Sequence, residues 1–266
     1  GHSDDGRRQM VKPTTVALWS HPRSMSTSVE RCFRERGDCF CHHEPFMYFY
    51  YLEKLGTPYP GFDPEDGRPR KLEDIGRMVT AGPAGPGHGH THVFFKDMSY
   101  YIADHLVEMM PLMRKMTSVF LIRDPRFSFA SYAKLDPEFT LEEGGLEAEW
   151  NHYEMLRNAG IPMMVIDAAT ITADPVKAMR RVWDFAGMPF VEDALSWQPD
   201  KLPDDWQQTT AWHQSSMKST GFIQRAGKDP DKVFEKAAET SPQIRDYLSH
   251  HQEFYDRLKE VAVTNL

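Results

Sequence analysis

The sequence predicts an α/β fold, a three-layer arrangement in which a parallel sheet carries helices on both faces. Short apolar segments of strand character alternate with segments of helical periodicity along the chain, which is the pattern of such a sheet. The chain has 266 residues, of which 40% are hydrophobic. That is enough to bury a substantial core, so we expect one domain over residues 1–266.

The first strand and helix are predicted near the start of the chain. Residues 14–19 are apolar and rich in β-forming side chains. After a hydroxyl-rich turn, Val29, Cys32 and Phe33 recur at helical spacing. Strand, turn and helix N-terminus therefore follow one another in that order.

A second strand and a long excursion come next. Residues 38–42 are predicted as a short strand, and an aromatic run follows over residues 46–51. Glycine and proline then interrupt residues 56–91 too often for regular structure, apart from a short helix near residues 71–79. We expect this stretch to be a long loop or lid, with a disordered segment as the alternative.

The rest of the chain alternates strands and helices. Strands are predicted over residues 92–98, 118–123 and 163–167. Helices are predicted over residues 100–110, 127–135, 141–158 and 175–186. A polar loop over residues 198–228 and an amphipathic helix over residues 242–261 complete the fold. Ligands of such sheets bind beyond the carboxyl ends of the strands.

Net charge and targeting signals limit the partners. The formal charge of −8 argues against a general nucleic-acid or anionic-membrane binder, while leaving room for a local basic pocket. No run of about 18 apolar residues occurs, and the first residues lack a signal-peptide core. We therefore expect a cytoplasmic protein that binds a small molecule, with residues 1–12 disordered and the oligomeric state left open.

The three cysteines do not form a disulfide pattern. They are odd in number and clustered near the start of the chain, so we expect them to be reduced. The run over residues 39–44 mixes thiol, imidazole and carboxylate groups, all of which can ligate zinc. Because no second ligand pair lies at zinc-finger spacing, we predict no metal.

The turn after the first strand has the composition of an anion-binding loop. Backbone N–H groups at a helix N-terminus converge on one point, and the helix dipole favours negative charge there. The hydroxyl groups of Ser24, Ser26, Thr27 and Ser28 add donors, and Arg23 adds a planar cation suited to a phosphate or sulfate. A serine-rich cap on an ordinary helix is the alternative.

The loop departs from the kinase phosphate loop and resembles another one. Met25 and Ser26 stand where the kinase pattern has Gly and Lys, and the basic residue has moved to Arg23. Residues 22–27 resemble the 5′-phosphosulfate loop, P-[KR]-S-G-[ST]-T, of sulfotransferases that use 3′-phosphoadenosine 5′-phosphosulfate (PAPS). The resemblance implies a P-loop nucleotide-binding fold that binds the 5′-phosphate, with Met25 replacing the family's glycine.

A second motif resembles the same family. Arg123 follows an apolar strand, and Ser131 lies eight residues later in the next predicted helix. This spacing resembles the family's 3′-phosphate motif, so the resemblance implies that both residues bind the nucleotide. A local Arg123–Asp124 ion pair and a buried helix serine are the alternative.

Lys96, in the third predicted strand, resembles the family lysine that reaches the transferring sulfuryl group. Asp97 resembles the aspartate beside that lysine in the protein-tyrosine branch. The small-molecule branch places a catalytic histidine two residues after the lysine. This chain has Met98 there, so that base cannot be assigned.

A glutamate supplies a different base. Glu44 follows the second strand, and its place resembles that of the glutamate base of tyrosylprotein and some bacterial sulfotransferases. His42 and His43 are competing candidates because imidazole accepts a proton near neutral pH. The segment around Lys218, Ser219 and Arg225 loosely resembles the family loop that closes over the nucleotide.

These patterns predict a PAPS-dependent sulfotransferase acting on a hydroxyl or amine of a small-molecule acceptor. Arg23 and Lys96 would neutralise developing charge, and no metal is required. An ATP-dependent kinase is one alternative, because Asp124 and Asp167 each follow a strand and resemble magnesium ligands. A non-catalytic nucleotide-binding protein is the other.

Overall fold

Five parallel strands form the centre of the fold in the computed structural model, which describes residues 13–57, 61–82, 89–196 and 228–266. The strands are β1 Thr15–Ser20, β2 Cys39–His43, β3 His92–Met98, β4 Thr117–Ile122 and β5 Met163–Asp167. Their order in the sheet is β2-β3-β1-β4-β5. The predicted parallel sheet is confirmed, with strand bounds that differ from the predictions by one residue at most.

The strand order places the loop after β1 at the point where the chain changes direction across the sheet. β1 pairs with β3 on one side and with β4 on the other. After β1, the chain first adds β2 and β3 on one side of it and then β4 and β5 on the other. In open α/β sheets, ligands bind beyond the strand ends at such a switch point. The two predicted phosphate motifs follow β1 and β4, and therefore adjoin it.

Helices cover both faces of the sheet. They are α1 Ser26–Glu35, α2 Leu72–Thr80, α3 Leu106–Met113, α4 Pro125–Leu135, α5 Leu146–Asn158, α6 Ala168–Ala173, α7 Pro175–Phe185, α8 Pro230–Thr240 and α9 Ile244–Val261. A π-helix, Tyr48–Lys54, lies in the predicted aromatic run. Among the described residues, no helix has the length and apolar character needed to cross a membrane.

Alternating strand residues build two separate cores. On one face, Leu18 and Phe94 pack with Phe33 of α1 and Trp183 of α7. On the other face, the buried residues come from the strands, from the π-helix and from α2, α3, α4, α5, α8 and α9; they include Trp19, Phe95, Phe120, Met109, Leu156, Phe234 and Leu258. Successive strand residues point to opposite faces, so each buried strand supplies both cores. The predicted three layers are confirmed.

Asp-Pro pairs start three of the helices. At 124–125, 174–175 and 229–230 the aspartate is the N-cap and accepts a backbone N–H, while proline occupies the first turn. The first two helices were predicted. The third pair begins α8, a helix that was not predicted although the same signal is present.

The helix predicted over residues 100–110 is wrong in its first half. Short 3₁₀ turns, Ser99–Tyr101 and Ala103–His105, stand there, and α3 begins only at Leu106. The hydroxyl of Tyr100 bonds that of Tyr51 at 2.8 Å. The hydroxyl of Tyr101 donates to Glu44 at 2.8 Å. These long-range bonds hold the segment in tight turns against its helical periodicity.

The helix predicted over residues 141–158 begins too early. A 3₁₀ turn, Glu142–Gly144, precedes Gly145, which has φ 81° and starts α5 from the left-handed region. A Cβ atom at Gly145 would lie 2.8 Å from the Cβ atom of His21 and 3.2 Å from Cδ of Pro22. Only glycine satisfies both the conformation and the close approach.

The long excursion over residues 56–91 contains the predicted short helix, as α2. Its residues 58–60 and 83–88 lie outside the described residues. So do residues 1–12, and residues 197–227, which include nearly all of the predicted polar loop.

Candidate active site

Backbone strain is concentrated at the predicted site. Among the described residues, the non-glycine residues with positive φ are Arg23 at 62°, Met25 at 74° and Glu44 at 47°. All three are predicted site residues. Left-handed backbone costs about 1–2 kcal/mol in an L-residue and persists only where surrounding contacts hold it. Such outliers cluster at functional sites.

Met25 adopts the conformation that glycine supplies in the loops it resembles. It is the N-cap of α1, and its carbonyl accepts N–H groups from Ser28 at 3.1 Å and Val29 at 3.3 Å. Its side chain packs on the core beneath α1, with Sδ 3.7 Å from the hydroxyl of Thr172 in α6. The substitution of Gly by Met therefore leaves the turn into α1 intact.

Polar groups suited to an anion lie at this turn. The side chain of the N-cap residue makes no capping hydrogen bond, which leaves backbone donors of the first turn for another acceptor. The hydroxyl of Ser24 is buried and has no hydrogen-bond partner among the described residues. A buried hydroxyl without a partner is costly, and a phosphate oxygen would supply one. The loop residues thus fit a nucleotide phosphate.

Lys96 joins the loop to the predicted base. Its side chain is 2% exposed, and its ammonium donates to the hydroxyl of Ser26 at 3.1 Å and lies 3.1 Å from Oε2 of Glu44. The backbone of Glu44 also donates to the carbonyl of Lys96 at 2.9 Å, which fixes the end of β2 beside β3. Predicted residues from α1, β3 and the end of β2 are therefore in direct contact.

His43 lies between two carboxylates. Its Nδ1 lies 2.9 Å and 3.0 Å from the two carboxylate oxygens of Glu30, and its Nε2 lies 3.2 Å from Oε2 of Glu44. Burial, the largest single cause, would lower the pKa of His43, but the charge and hydrogen bonding of Glu30 together with Glu44 outweigh it and raise that pKa. A protonated imidazole cannot accept another proton, so this pairing favours Glu44 as the base.

His42 lies on the other face of β2, because neighbouring strand residues alternate. Burial, with Arg68 and Arg34 next, lowers its pKa to about 4. Its ring contacts Phe40 edge-on, with centroids 5.0 Å apart.

Several polar side chains of the run 39–44 have partners outside the run. The thiol of Cys39 donates to Asp38, whereas His43 contacts Glu30 and Glu44 contacts Lys96. No group of three or more His, Cys, Asp or Glu side chains is placed to hold a metal ion in the described ranges.

Two groups hold the predicted base in place. Tyr101 donates to Oε1 of Glu44 at 2.8 Å, on the oxygen opposite Lys96. Asp97 is buried and accepts the backbone N–H groups of Phe46 and Met98 at 2.8 and 3.1 Å. Burial, and then the charge of Glu44, raises the pKa of Asp97 well above its usual value. Asp97 thus ties the chain beyond Glu44 to β3.

The second predicted motif lies against the loop. The Nε of Arg23 donates to the hydroxyl of Ser131 at 2.9 Å. The Nη1 of Arg123 donates to the carbonyl of Arg23 at 2.8 Å, and its backbone N–H donates to Nε2 of His21 at 3.0 Å. The structure therefore brings Arg23, Arg123 and Ser131 together, with the Arg23 guanidinium beside Ser131. Thr27 and Ser28 lie in the first turn of α1.

The aspartates that favoured a kinase have structural roles. Asp124 caps α4 and forms an ion pair with Arg126 at 2.6 Å. Asp167 caps α6 and accepts the hydroxyl of Tyr255 at 2.6 Å. Helix capping and these pairs account for both carboxylates without magnesium.

The predicted site and the described structure differ at two places. Lys218 and Ser219, with Arg225, lie outside the described residues. Glu30 and Tyr101 contact the predicted cluster but were not predicted. A signal for Glu30 was present, since Ser26 and Glu30 are four residues apart and share one face of α1.

Comparison with known proteins identifies the family. The family model described as "Sulfotransferase domain" matches residues 14–243. Two curated proteins of Arabidopsis thaliana, named branched-chain-amino-acid aminotransferase-like proteins 1 and 2, are 30% identical over 213 and 210 residues. These matches cover 80% and 78% of this chain but 37% and 36% of the plant proteins. The chain thus spans little more than a third of their length.

A solved structure shares the fold. The sulfotransferase domain of the Synechococcus PCC 7002 olefin synthase superposes with a TM-score of 0.52 at 14% identity. The superposition covers 86% of this chain and 94% of that domain. At this identity the similarity concerns the fold.

Proposed function

The chain belongs to the sulfotransferase domain family, and we propose that it moves a sulfuryl group from PAPS to a hydroxyl or amine of a small-molecule acceptor. The observation that carries this proposal is the buried ammonium of Lys96, which contacts both Ser26 of the loop and Glu44. Phosphate loop, cation and base are thereby within reach of one another.

The nucleotide would be held at two points. The backbone N–H groups of residues 24–27, with the hydroxyls of Ser24, Ser26 and Thr27, would bind the 5′-phosphate, whereas the N–H of Ser28 donates to the Met25 carbonyl. Arg123 and Ser131 would bind the 3′-phosphate. Because the guanidinium of Arg23 already lies on Ser131, we assign Arg23 to the nucleotide phosphates and leave charge at the transferring group to Lys96.

Glu44 would act as the base. PAPS supplies an activated sulfuryl group, whose sulfur–oxygen bond to the 5′-phosphate breaks as a bond from sulfur to the acceptor oxygen or nitrogen forms. Glu44 would take the proton released by the acceptor. Lys96 would stabilise the negative charge that develops on the leaving phosphate oxygen. Such stabilisation by a preorganised charge is usually the largest single contribution to the rate acceleration.

The excursion over residues 56–91 is proposed as the cover of the acceptor side. Phe62 packs edge-on against the ring of Tyr48, with centroids 5.2 Å apart. The backbone N–H of Glu65 donates to the Tyr48 hydroxyl at 3.1 Å, and Arg68 lies 5.2 Å over the same ring. Residues 62–68 of the excursion are thus anchored on Tyr48 of the π-helix that follows Glu44.

Ligand binding tests the proposal. Adenosine 3′,5′-bisphosphate (PAP), the nucleotide product, should raise the melting temperature without metal, whereas ATP with magnesium should not. Arg123→Ala should weaken PAP binding about 10- to 100-fold, from the loss of charge-assisted hydrogen bonds worth about 1.5–3 kcal/mol. Stabilisation by ATP with magnesium but not by PAP would reject the assignment and favour a kinase.

A further inference from the structure

Glu30 is a buried carboxylate close to the proposed site that has no part in the proposed chemistry. It lies on α1, one turn beyond Ser26, and its side chain has no exposed surface. An ionised carboxylate in such a place is costly unless it is paired. Its partners therefore indicate why this helix carries it.

The main partner of Glu30 is His43. Both carboxylate oxygens lie within 3.0 Å of Nδ1, and Oε2 also accepts a hydrogen bond from Arg34 at 3.3 Å. Burial alone would raise the pKa of Glu30, but His43 and then Arg34 outweigh it and lower that pKa to about 2. The raised pKa of His43 agrees with this. The two residues form a buried ion pair.

The imidazolium of that pair faces Glu44. Its Nε2 lies 3.2 Å from Oε2 of Glu44, the same oxygen that Lys96 contacts at 3.1 Å. Two cations thus flank one oxygen of the base, while Tyr101 donates to the other. Charges so close favour the ionised carboxylate and fix its orientation.

We propose that Glu30 is a positioning residue of this site, which acts by holding charged His43 against Glu44 so that the base is ionised and correctly oriented. The inference rests on the proposed function for its catalytic meaning. It also gives α1 a second role. Ser26, in the first turn of the helix, contacts Lys96 of β3, and Glu30, one turn later, contacts His43 of β2.

The kinetic test compares Glu30→Gln with Glu35→Gln. Glu35 lies on the same helix in an ion pair with Arg31 at 2.8 Å, so it is a matched carboxylate away from Glu44. Glu30→Gln should lower kcat about tenfold, leave KM for PAPS within twofold, and move the acid limb of the kcat/KM profile to higher pH. Glu35→Gln should change none of these.

A double variant separates positioning from general damage. Because Glu30 acts through His43, Glu30→Gln combined with His43→Asn should be no slower than His43→Asn alone. An additive loss, or a Glu30→Gln profile with an unmoved acid limb, would overturn the inference.

A test without turnover keeps the inference distinct from the proposed function. NMR titration of His43 in the substrate-free protein should give a pKa above the usual value in the wild type and a lower one in Glu30→Gln. An unchanged His43 pKa in folded Glu30→Gln would overturn the pairing. If the wild type shows the expected raised pKa of His43 but transfers no sulfuryl group, the proposed function would be rejected and the pairing would stand.

Discussion

At the scale of single residues, the site is built on strained backbone held by side-chain contacts. Met25 keeps its left-handed conformation because its side chain packs on the core beside Thr172. Glu44 keeps its own because Lys96 and Tyr101 hold both carboxylate oxygens. The strain of about 1–2 kcal/mol per residue is offset by these contacts.

Met25 gives a direct test of the loop. Met25→Gly removes the strain and some packing, so the PAP-induced rise in melting temperature should be retained. Met25→Ile places a β-branched side chain at φ 74°, where it is strongly disfavoured, and should abolish most of that rise. Equal PAP responses in the two variants would show that the left-handed turn is not required.

Lys96 gives a direct test of the transfer step. Lys96→Met keeps most of the side-chain volume and removes the charge, so kcat should fall about 10²- to 10³-fold while PAP still binds. Lys54→Met is the control, because Lys54 is a more exposed lysine paired with Asp104. A Lys96→Met rate within a few fold of the Lys54→Met rate would contradict the assigned role.

At the scale of elements, the junction between α5 and the loop decides the shape of the site. Gly145 starts α5 where that helix meets His21 and Pro22, directly before the loop. Through this contact, the N-terminus of α5 packs against the end of β1, where the loop begins. Crowding there should therefore be transmitted to the nucleotide site.

Gly145→Ala tests that junction against Gly160→Ala. Both glycines have positive φ, 81° and 72°, but a Cβ atom at Gly160 would meet nothing within 4 Å. Gly160→Ala should cost only the backbone strain of about 1–2 kcal/mol. Gly145→Ala should cost about 1–3 kcal/mol more through overpacking and should weaken PAP binding as well. Denaturant unfolding and thermal shift measure both, and identical losses would refute the packing role.

Local patterns predicted the elements where the signal is local. Apolar runs located all five strands, and helical segments between them located α4 and α7. The 3₁₀ turns after β3 were not predictable, because the hydroxyls of Tyr100 and Tyr101 bond residues about fifty positions away. The break at Gly145 has the same cause, since His21 crowds it from a distant part of the sequence.

At the scale of the whole molecule, the parallel sheet assembles the site from separate segments. Motif resemblance identified Lys96 and Glu44, and the register of β2 beside β3 brings them into contact. Glu30 was missed because its role depends on α1 lying over β2. The position of the Arg23 guanidinium beside Ser131 likewise depends on the packing of the loop after β1 against α4.

Buried histidines should make the whole fold acid-sensitive. Burial is the main cause that lowers the pKa of His21 and His152 to about 3, and of His42 and His251 to about 4. Below pH 6.5 the unfolded chain binds protons that the folded chain does not. The free energy of unfolding should therefore decrease as the pH is lowered below 6.5, by about 1.4 kcal/mol per pH unit for each histidine until its folded-state pKa is reached.

Denaturant unfolding measured from about pH 8 to about pH 4, a range that brackets the usual histidine pKa, checks this. His152→Gln should reduce the slope below pH 6.5, because one fewer buried imidazole must be kept neutral. His105→Gln is the control, since His105 is more exposed and pairs locally with Glu108. A flat stability profile from pH 7 to 5 would contradict the burial of neutral imidazoles.

The central claim is that Glu44 and Lys96 complete a sulfuryl-transfer site at the phosphate loop. The most direct measurement follows sulfur-labelled PAPS with a panel of small alcohols, phenols and amines, for the wild type and Glu44→Gln. The wild type should label an acceptor, and Glu44→Gln should bind PAP normally while transferring about 10²-fold more slowly. Transfer by Glu44→Gln at the wild-type rate would contradict the claim.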